Sequence, residues 1–175
     1  ATAWDPSASD VVEVVRLSAD GTKLYAGGAF TTIGGDSRSH IAEIDLATAS
    51  ATAWNPDANS NVKTIAQSGN NLYVGGNFTS ANEGGPVVNV SAIAKFDTAT
   101  SIWSGLTEGT GKGLNDVALA VAVNGTDIYV GGIFSFAGAV PVNGIAKFDT
   151  RTNAWSALGT GGGNGVDGTV QALAV

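Results

Sequence analysis

Leu72-Tyr73-Val74-Gly75-Gly76-Asn77-Phe78 decides the fold, because the chain writes this stretch three times. The other copies are Leu24-Tyr25-Ala26-Gly27-Gly28-Ala29-Phe30 and Ile128-Tyr129-Val130-Gly131-Gly132-Ile133-Phe134. Downstream of each stands an Ile-Ala-x-x-Asp run, at Ile41–Asp45, Ile93–Asp97 and Ile145–Asp149. The tryptophans Trp4, Trp54, Trp103 and Trp155 follow at spacings of 50, 49 and 52. The unit therefore reads as about fifty residues ending in a tryptophan, a period that marks a repeat architecture.

Aligned on these motifs, each copy holds four short strands. The first are apolar runs over residues 11–17, 62–67, 117–123 and 170–175, bounded by turn residues. Such runs suit strands buried on both faces. The second strand carries the glycine pair and is reached by tight turns at Asp20-Gly21, Gly69-Asn70 and Asn124-Gly125, whose residues tolerate positive φ. In the third, alternation puts Ile93, Lys95 and Asp97 on one side and Ala94 and Phe96 on the other. The fourth is a short tryptophan strand after a polar Asp-Thr-x-Thr turn. Paired glycines let the second strand bend or let a neighbouring sheet come close. Tyr25, Tyr73 and Tyr129 share one repeat position, which assigns them to the core.

Four antiparallel strands per repeat predict an all-β fold, a β-propeller. Its full blades fall at about 9–56, 60–105 and 115–158, with half-blade strands at 1–4 and 169–175. Three blades and a fraction do not close a ring. The expected partners are the remaining blades of a parent chain, or identical copies that complete a homo-oligomer. The sequence has no methionine and stops at Val175 inside an apolar run, and it reads as an excerpt or processed piece of a longer protein.

The order of apolar residues, glycine pair, aromatic-Asp and tryptophan resembles the kelch repeat. Phe96-Asp97-Thr98-Ala99-Thr100-Ser101-Ile102-Trp103 and Phe148-Asp149-Thr150-Arg151-Thr152-Asn153-Ala154-Trp155 carry the likeness. Trp54-Asn55-Pro56-Asp57-Ala58-Asn59, and Phe30-Thr31-Thr32-Ile33-Gly34-Gly35 with Arg38, Ile41 and Ala42, look like the kelch-like repeats of large secreted bacterial proteins, the delta-sixty type. The fungal cortical cell-polarity marker is similar. The resemblance implies a secreted or cell-surface propeller. It does not fix an activity, because kelch-like propellers serve adhesion, scaffolding and some catalysis.

Composition narrows the function classes. The net charge of −7 and the eight scattered Lys and Arg argue against nucleic acid, whose phosphates need a basic stripe. No apolar run reaches the ~18 residues that span a bilayer, so no membrane insertion is expected. Without cysteine there is no disulfide, thiolate metal site or cysteine nucleophile. The copper-radical oxidase chemistry found on one kelch-like propeller needs a cysteine and several histidines, and only His40 is present. The residues Asn77, Asn89 and Asn124 head N-glycosylation acceptor patterns.

Candidate chemistry is sparse. Asp36, Arg38 and His40 form a corner able to grip a carboxylate or a sugar hydroxyl; the alternative is a solvated loop whose Arg and His cap nearby carbonyls. Asp45, Asp97 and Asp149 stand one per copy and suit capping of the following Thr-x-Thr turn better than catalysis. The loops over 106–116 and 159–168 are rich in Gly, Asn and Asp, but lack a calcium-loop spacing and a phosphate-loop ending. Loops that vary between copies, over 34–40, 80–90 and 138–143 together with the tryptophan-following loops, are the best contact surfaces. The longest is expected to make contact through Asn82, Glu83 and Asn89.

These observations point to a non-catalytic extracellular module acting as a binding or structural platform. The alternative is a glycan-binding, lectin-like propeller; a third reading is the propeller of a secreted enzyme whose active residues lie elsewhere. No cofactor, metal or catalytic residue is expected within residues 1–175, and the partners expected beyond further blades are a glycan or a surface protein.

Overall fold

Alternating apolar residues and two-residue turns fold each copy into an antiparallel meander. The computed structural model describes residues 4–82, 86–107, 113–159 and 164–175. Sheet one contains β1 (Val12–Leu17) and β2 (Lys23–Gly28), a small hairpin of β3 (Thr32–Ile33) and β4 (Asp36–Ser37), and then β5 (Ile41–Asp45). Sheet two runs through β6 (Val62–Ser68), β7 (Asn71–Gly76), the hairpin β8 (Ser80–Ala81) and β9 (Val88–Asn89), then β10 (Ile93–Asp97) and β11 (Ile102–Gly105). Sheet three repeats this with β12 (Ala118–Asn124), β13 (Asp127–Gly132), the hairpin β14 (Phe136–Ala137) and β15 (Val140–Pro141), β16 (Ile145–Asp149) and β17 (Ala154–Ala157). The orders are β1-β2-β5, β6-β7-β10-β11 and β12-β13-β16-β17, all antiparallel. The hairpins occupy the stretches expected to be loops. No helix occurs among the described residues.

First strands converge, with β1 packed on β6 and β6 on β12. The two glycines of each pair do different work. A Cβ on Gly27 would stand 2.4 Å from Val62 Cγ1, and one on Gly75 would stand 2.8 Å from Ala118 Cβ. The first glycine thus admits the next sheet. A Cβ on Gly76 would meet Asn61 O of its own sheet at 2.1 Å. There Asn77 N donates to Asn61 O at 3.1 Å, and the β6–β7 register slips by one residue between Val62 and Thr64. The second glycine therefore accommodates a β-bulge.

Tryptophan spacing misaligns the first copy. Trp103 pairs across the ladder with Phe96, and Trp155 with Phe148, with ring centroids 5.2 and 5.0 Å apart. In sheet one the partner of Ile44 is Ala51, three residues before Trp54. Trp54 instead wedges between sheets, edge-on to Tyr25 at 5.4 Å and to Phe96 at 5.2 Å. Counting from the turn aspartate, its equivalent in sheet two is Leu106. Trp4 belongs with Trp54: both precede an x-Pro pair and then a positive-φ residue, Ser7 or Asp57. The connection to the next sheet is shorter after the first copy, so near-equal tryptophan spacing conceals the shift. Consequently the fourth strand expected in sheet one is reduced to the Ile44–Ala51 bridge, made by Thr52 N donating to Glu43 O at 2.8 Å and Asp45 N donating to Ser50 O at 2.9 Å.

The tryptophans also tie sheets together. Trp103 Nε1 donates to Pro56 O at 2.9 Å, and Trp155 Nε1 donates to Leu106 O at 3.2 Å. Each bond satisfies a buried donor with a carbonyl of the preceding linker.

Differences from expectation concentrate at the two ends. First strands read as buried on both faces, yet Val12, Val15 and Leu17 of β1 are exposed, because no preceding sheet covers them. Trp4 is 43% exposed for the same reason. Tyr25 and Tyr73 are buried, whereas Tyr129, with no fourth sheet beside it, is half-buried. Residues 170–175 form no ladder, since residues 1–175 supply no second strand to pair with them. Their first residue is nonetheless in place: a Cβ on Gly131 would stand 2.4 Å from Val170 Cγ1, the position Val62 takes over Gly27.

Candidate functional site

Each inserted hairpin is fixed by a residue that enters the sheet just before the first strand. Asn59 Oδ1 accepts from Thr79 N and Ser80 N at 2.9 and 3.1 Å. Asn115 Oδ1 accepts from Ser135 N and Phe136 N at 2.9 and 2.8 Å, while its Nδ2 donates to Ser135 Oγ at 3.0 Å. In sheet one Ser9 Oγ serves, accepting from Thr31 N and Thr32 N. One carboxamide thus pins two amides of the hairpin, which makes this end of the sheets a stiff surface.

Between sheets two and three this end opens into a groove of about 580 Å³. Phe78, Ala92 and Leu114 form its floor, and Asn77, Thr79, Ser91, Asn115, Asp116 and Phe136 its walls. The groove exists because position 92 is small. His40, Ala92 and Gly144 are equivalent: each has φ near +65° (66°, 60° and 68°). Each donates its amide to the phenylalanine carbonyl of its own sheet, Phe30, Phe78 or Phe134. His40 sends its ring across to the next sheet, where Nδ1 donates to Ala58 O at 2.8 Å. That bond fixes the tautomer with hydrogen on Nδ1. Ala92 has no such ring, and the corresponding space stays open. A smaller copy, about 260 Å³, lies beside Gly144.

The groove offers amide and hydroxyl groups, one carboxylate and an exposed ring. Asn77 and Ser91 side chains have no hydrogen-bond partner among the described residues. Asp116 Oδ1 accepts from Val117 N at 2.8 Å, which leaves its second oxygen available. The Phe136 ring is 45% exposed at the wall. Among the described residues no cation lines the groove, and its described lining suits a neutral ligand rich in hydroxyls or amides better than an anion.

The residues singled out from sequence are dispersed among structural duties. Asp36 is exposed on β4 and ion-pairs with Arg38 at 3.3 Å. The Arg38 side chain is largely buried and donates to Ser37 O and Thr52 O. Arg38 and His40 thus cap carbonyls, with the Arg38 side chain largely buried and not solvated. Asn82 takes φ 63°, donates its amide to Pro56 O and Asp57 O, and sends Nδ2 to Pro86 O at 3.1 Å. Asn89 is exposed and pairs with Ser80. Glu83, Gly84 and Gly85 lie outside the described residues, as do 108–112 and 160–163 of the two glycine-rich loops. The structure brings Asp36 and Arg38 together, and places Asn82 and Asn89 on another hairpin. The lining of the groove was missed because its residues come from two copies and only pairing between sheets juxtaposes them. The signal available was the change from His40 to Ala92 at one repeat position.

The turn aspartates cap as expected. Asp45 Oδ1 accepts from Ala47 N and Thr48 N, Asp97 Oδ1 from Ala99 N and Thr100 N, and Asp149 Oδ1 from Arg151 N and Thr152 N. These amides hold the Asp45 and Asp149 carboxyls below the usual carboxylate range. Asp20 is lowered to about 2 by the Ser18 hydroxyl, then by the Thr22 amide and hydroxyl. Among the described residues no three His, Asp or Glu side chains gather to hold a metal.

No family model and no curated protein matches the chain. Among solved structures it is similar to the computationally designed Ika4 protein, at 16% identity and a TM-score of 0.58, over 97% of this chain and 82% of that one. It is also similar to the WD40 repeats of RRP9, at 12% identity and a TM-score of 0.52. That match covers 87% of this chain and 41% of the other, so the chain spans less than half of the WD40 structure. Likeness at such identities shows the fold: an all-β, propeller-like repeat of antiparallel sheets, two of them four-stranded.

Proposed function

We propose that this chain is a non-catalytic segment of a kelch-like propeller, of the delta-sixty type, from a secreted or cell-surface protein, and that it works as a binding platform. The observation that carries the reading is the groove between sheets two and three. It sets an exposed Phe136 ring beside Asn77, Ser91 and Asp116 on a hairpin surface pinned by Asn59 and Asn115. A ring face flanked by hydrogen-bonding groups, with no cation among the described lining residues, fits a neutral glycan. A glycan array probed with the purified chain tests this. Retention on neutral glycans that Phe136→Ala abolishes is the expected result, and silence across the array sinks the lectin reading.

A second proposal concerns partners. Further sheets of the same kind, from a parent chain or from identical copies, cover the open face of β1 and pair with residues 170–175. Exposed Val12, Val15, Leu17 and Trp4 support it, together with Val170 already seated on Gly131. The native mass in solution tests it: a cooperatively melting monomer of this chain would count against the need for such partners.

A further inference from the structure

The opposite end of the sheets carries a second cavity, and it does not depend on the glycan groove. Between sheets one and two a space of about 320 Å³ is bounded by Lys23, Glu43, Thr52, Ala53, Trp54 and Thr98. Between sheets two and three its counterpart measures about 470 Å³. Position by position, Asn71 replaces Lys23, Lys95 replaces Glu43, Ser104 replaces Thr52 and Leu106 replaces Trp54. Leu106 is smaller than the indole it stands for, and the cavity is larger.

The polar groups show what the enlarged cavity lacks. In sheet one the Glu43 carboxylate is buried and partnered. It pairs with Lys23 at 3.0 Å and accepts from Thr52 Oγ1 at 2.8 Å, and Glu43 stands directly across the ladder from Tyr25. In sheet two the donors persist while the carboxylate is gone. Tyr73 and Ser104 take the places of Tyr25 and Thr52, and neither hydroxyl has a hydrogen-bond partner among the described residues. Lys95 is half-buried and has no ion pair among the described residues, since Asn71 is neutral. In sheet three the balance is restored, with Lys147 paired to Asp127 at 3.2 Å. Among the described residues only the middle one of the three equivalent sites has a cation without an anion, and it faces a cavity whose described lining contains no Asp or Glu.

We propose that this cavity binds a sugar acid, whose carboxylate takes the place of Glu43 among Lys95, Tyr73 and Ser104. A carboxylate there accepts a charge-assisted bond from the ammonium and two hydroxyl bonds. Thr107, Thr150 and Asn153 line the outer part and meet a hydroxylated body, while Leu106 and Phe148 supply its apolar floor. The volume lies within the range of small-ligand pockets.

The test is a nuclear magnetic resonance titration of the full chain with D-glucuronate, with D-glucose as the neutral counterpart at matched ionic strength. Glucuronate is expected to shift the amides of Tyr73, Ser104 and Thr150 saturably, and glucose is not. Lys95→Gln is expected to weaken glucuronate binding about tenfold or more, the usual weight of a bond to a charged group. The double variant Asn71→Lys with Lys95→Glu transplants the pair from sheet one, keeps the fold and fills the anion position, so binding is lost. The proposal is overturned if glucuronate gives no saturable shift, if glucose binds as well, or if either variant binds glucuronate like the original chain.

Discussion

Val62 Cγ1 lies 2.4 Å from where a Cβ on Gly27 would stand. A side chain of one sheet occupies the volume that the neighbouring backbone gives up, and this contact sets how closely the sheets approach. The second glycine is constrained more severely, because its neighbour is backbone. Gly76→Ala drives a methyl into Asn61 O, which no rotamer change relieves. We predict a loss of about 1–3 kcal/mol, the usual cost of overpacking. Gly125, at φ 60° with nothing within 4 Å, is the comparison: Gly125→Asn should cost only a few tenths of a kcal/mol, because asparagine tolerates that region. Urea unfolding of both variants checks the contrast, and equal losses would refute it.

The two tryptophan classes should respond differently. Trp103→Ala removes a buried ring and its bond to Pro56 O, with an expected cost of about 3–5 kcal/mol. Trp4→Ala, at an exposed site, should stay within about 0.5 kcal/mol in the isolated chain. Thermal melts decide it; similar losses at the two positions would contradict the class assignment.

Position 92 controls the hairpin-end groove. Ala92→His is expected to place an imidazole where His40 sits between sheets one and two, filling the groove with little effect on stability. Glycan retention should disappear while the melting temperature holds. His40→Ala should cost about 1 kcal/mol through the lost bond to Ala58 O. Retention unchanged in Ala92→His would place the ligand elsewhere.

Stability should depend on pH at both extremes. Asp20, Asp45 and Asp149 have depressed carboxyl pKa values, so below about pH 4 the unfolded chain binds more protons than the folded one. Their stabilisation is complete above that range and disappears as pH falls towards 2. At the alkaline end, burial and then the Glu43 carboxylate push the Tyr25 hydroxyl up to about 12. The unfolded chain ionises there first, near the ordinary tyrosine value of 10.0, so stability declines as pH rises from that point. Urea midpoints across pH should therefore form a plateau with two falling limbs. Asp20→Asn should flatten part of the acid limb, and an unchanged limb would refute the assignment.

Legible in the residues alone were the repeat, the four-strand order of the second and third copies, the close approach at the glycine pair and the turn caps at Asp45, Asp97 and Asp149. All of these are local: period, turn chemistry and a carboxylate two or three residues from its amides specify them without knowledge of the rest of the chain. Tertiary structure alone decided that Trp54 is a wedge while Trp103 is a ladder residue, because spacing along the chain does not record register across it. Only tertiary structure set Ala92 against Leu114, and Lys95 beside Leu106 and Phe148. Both cavities lie between copies, and their shape follows from which unlike residues two packed sheets bring face to face.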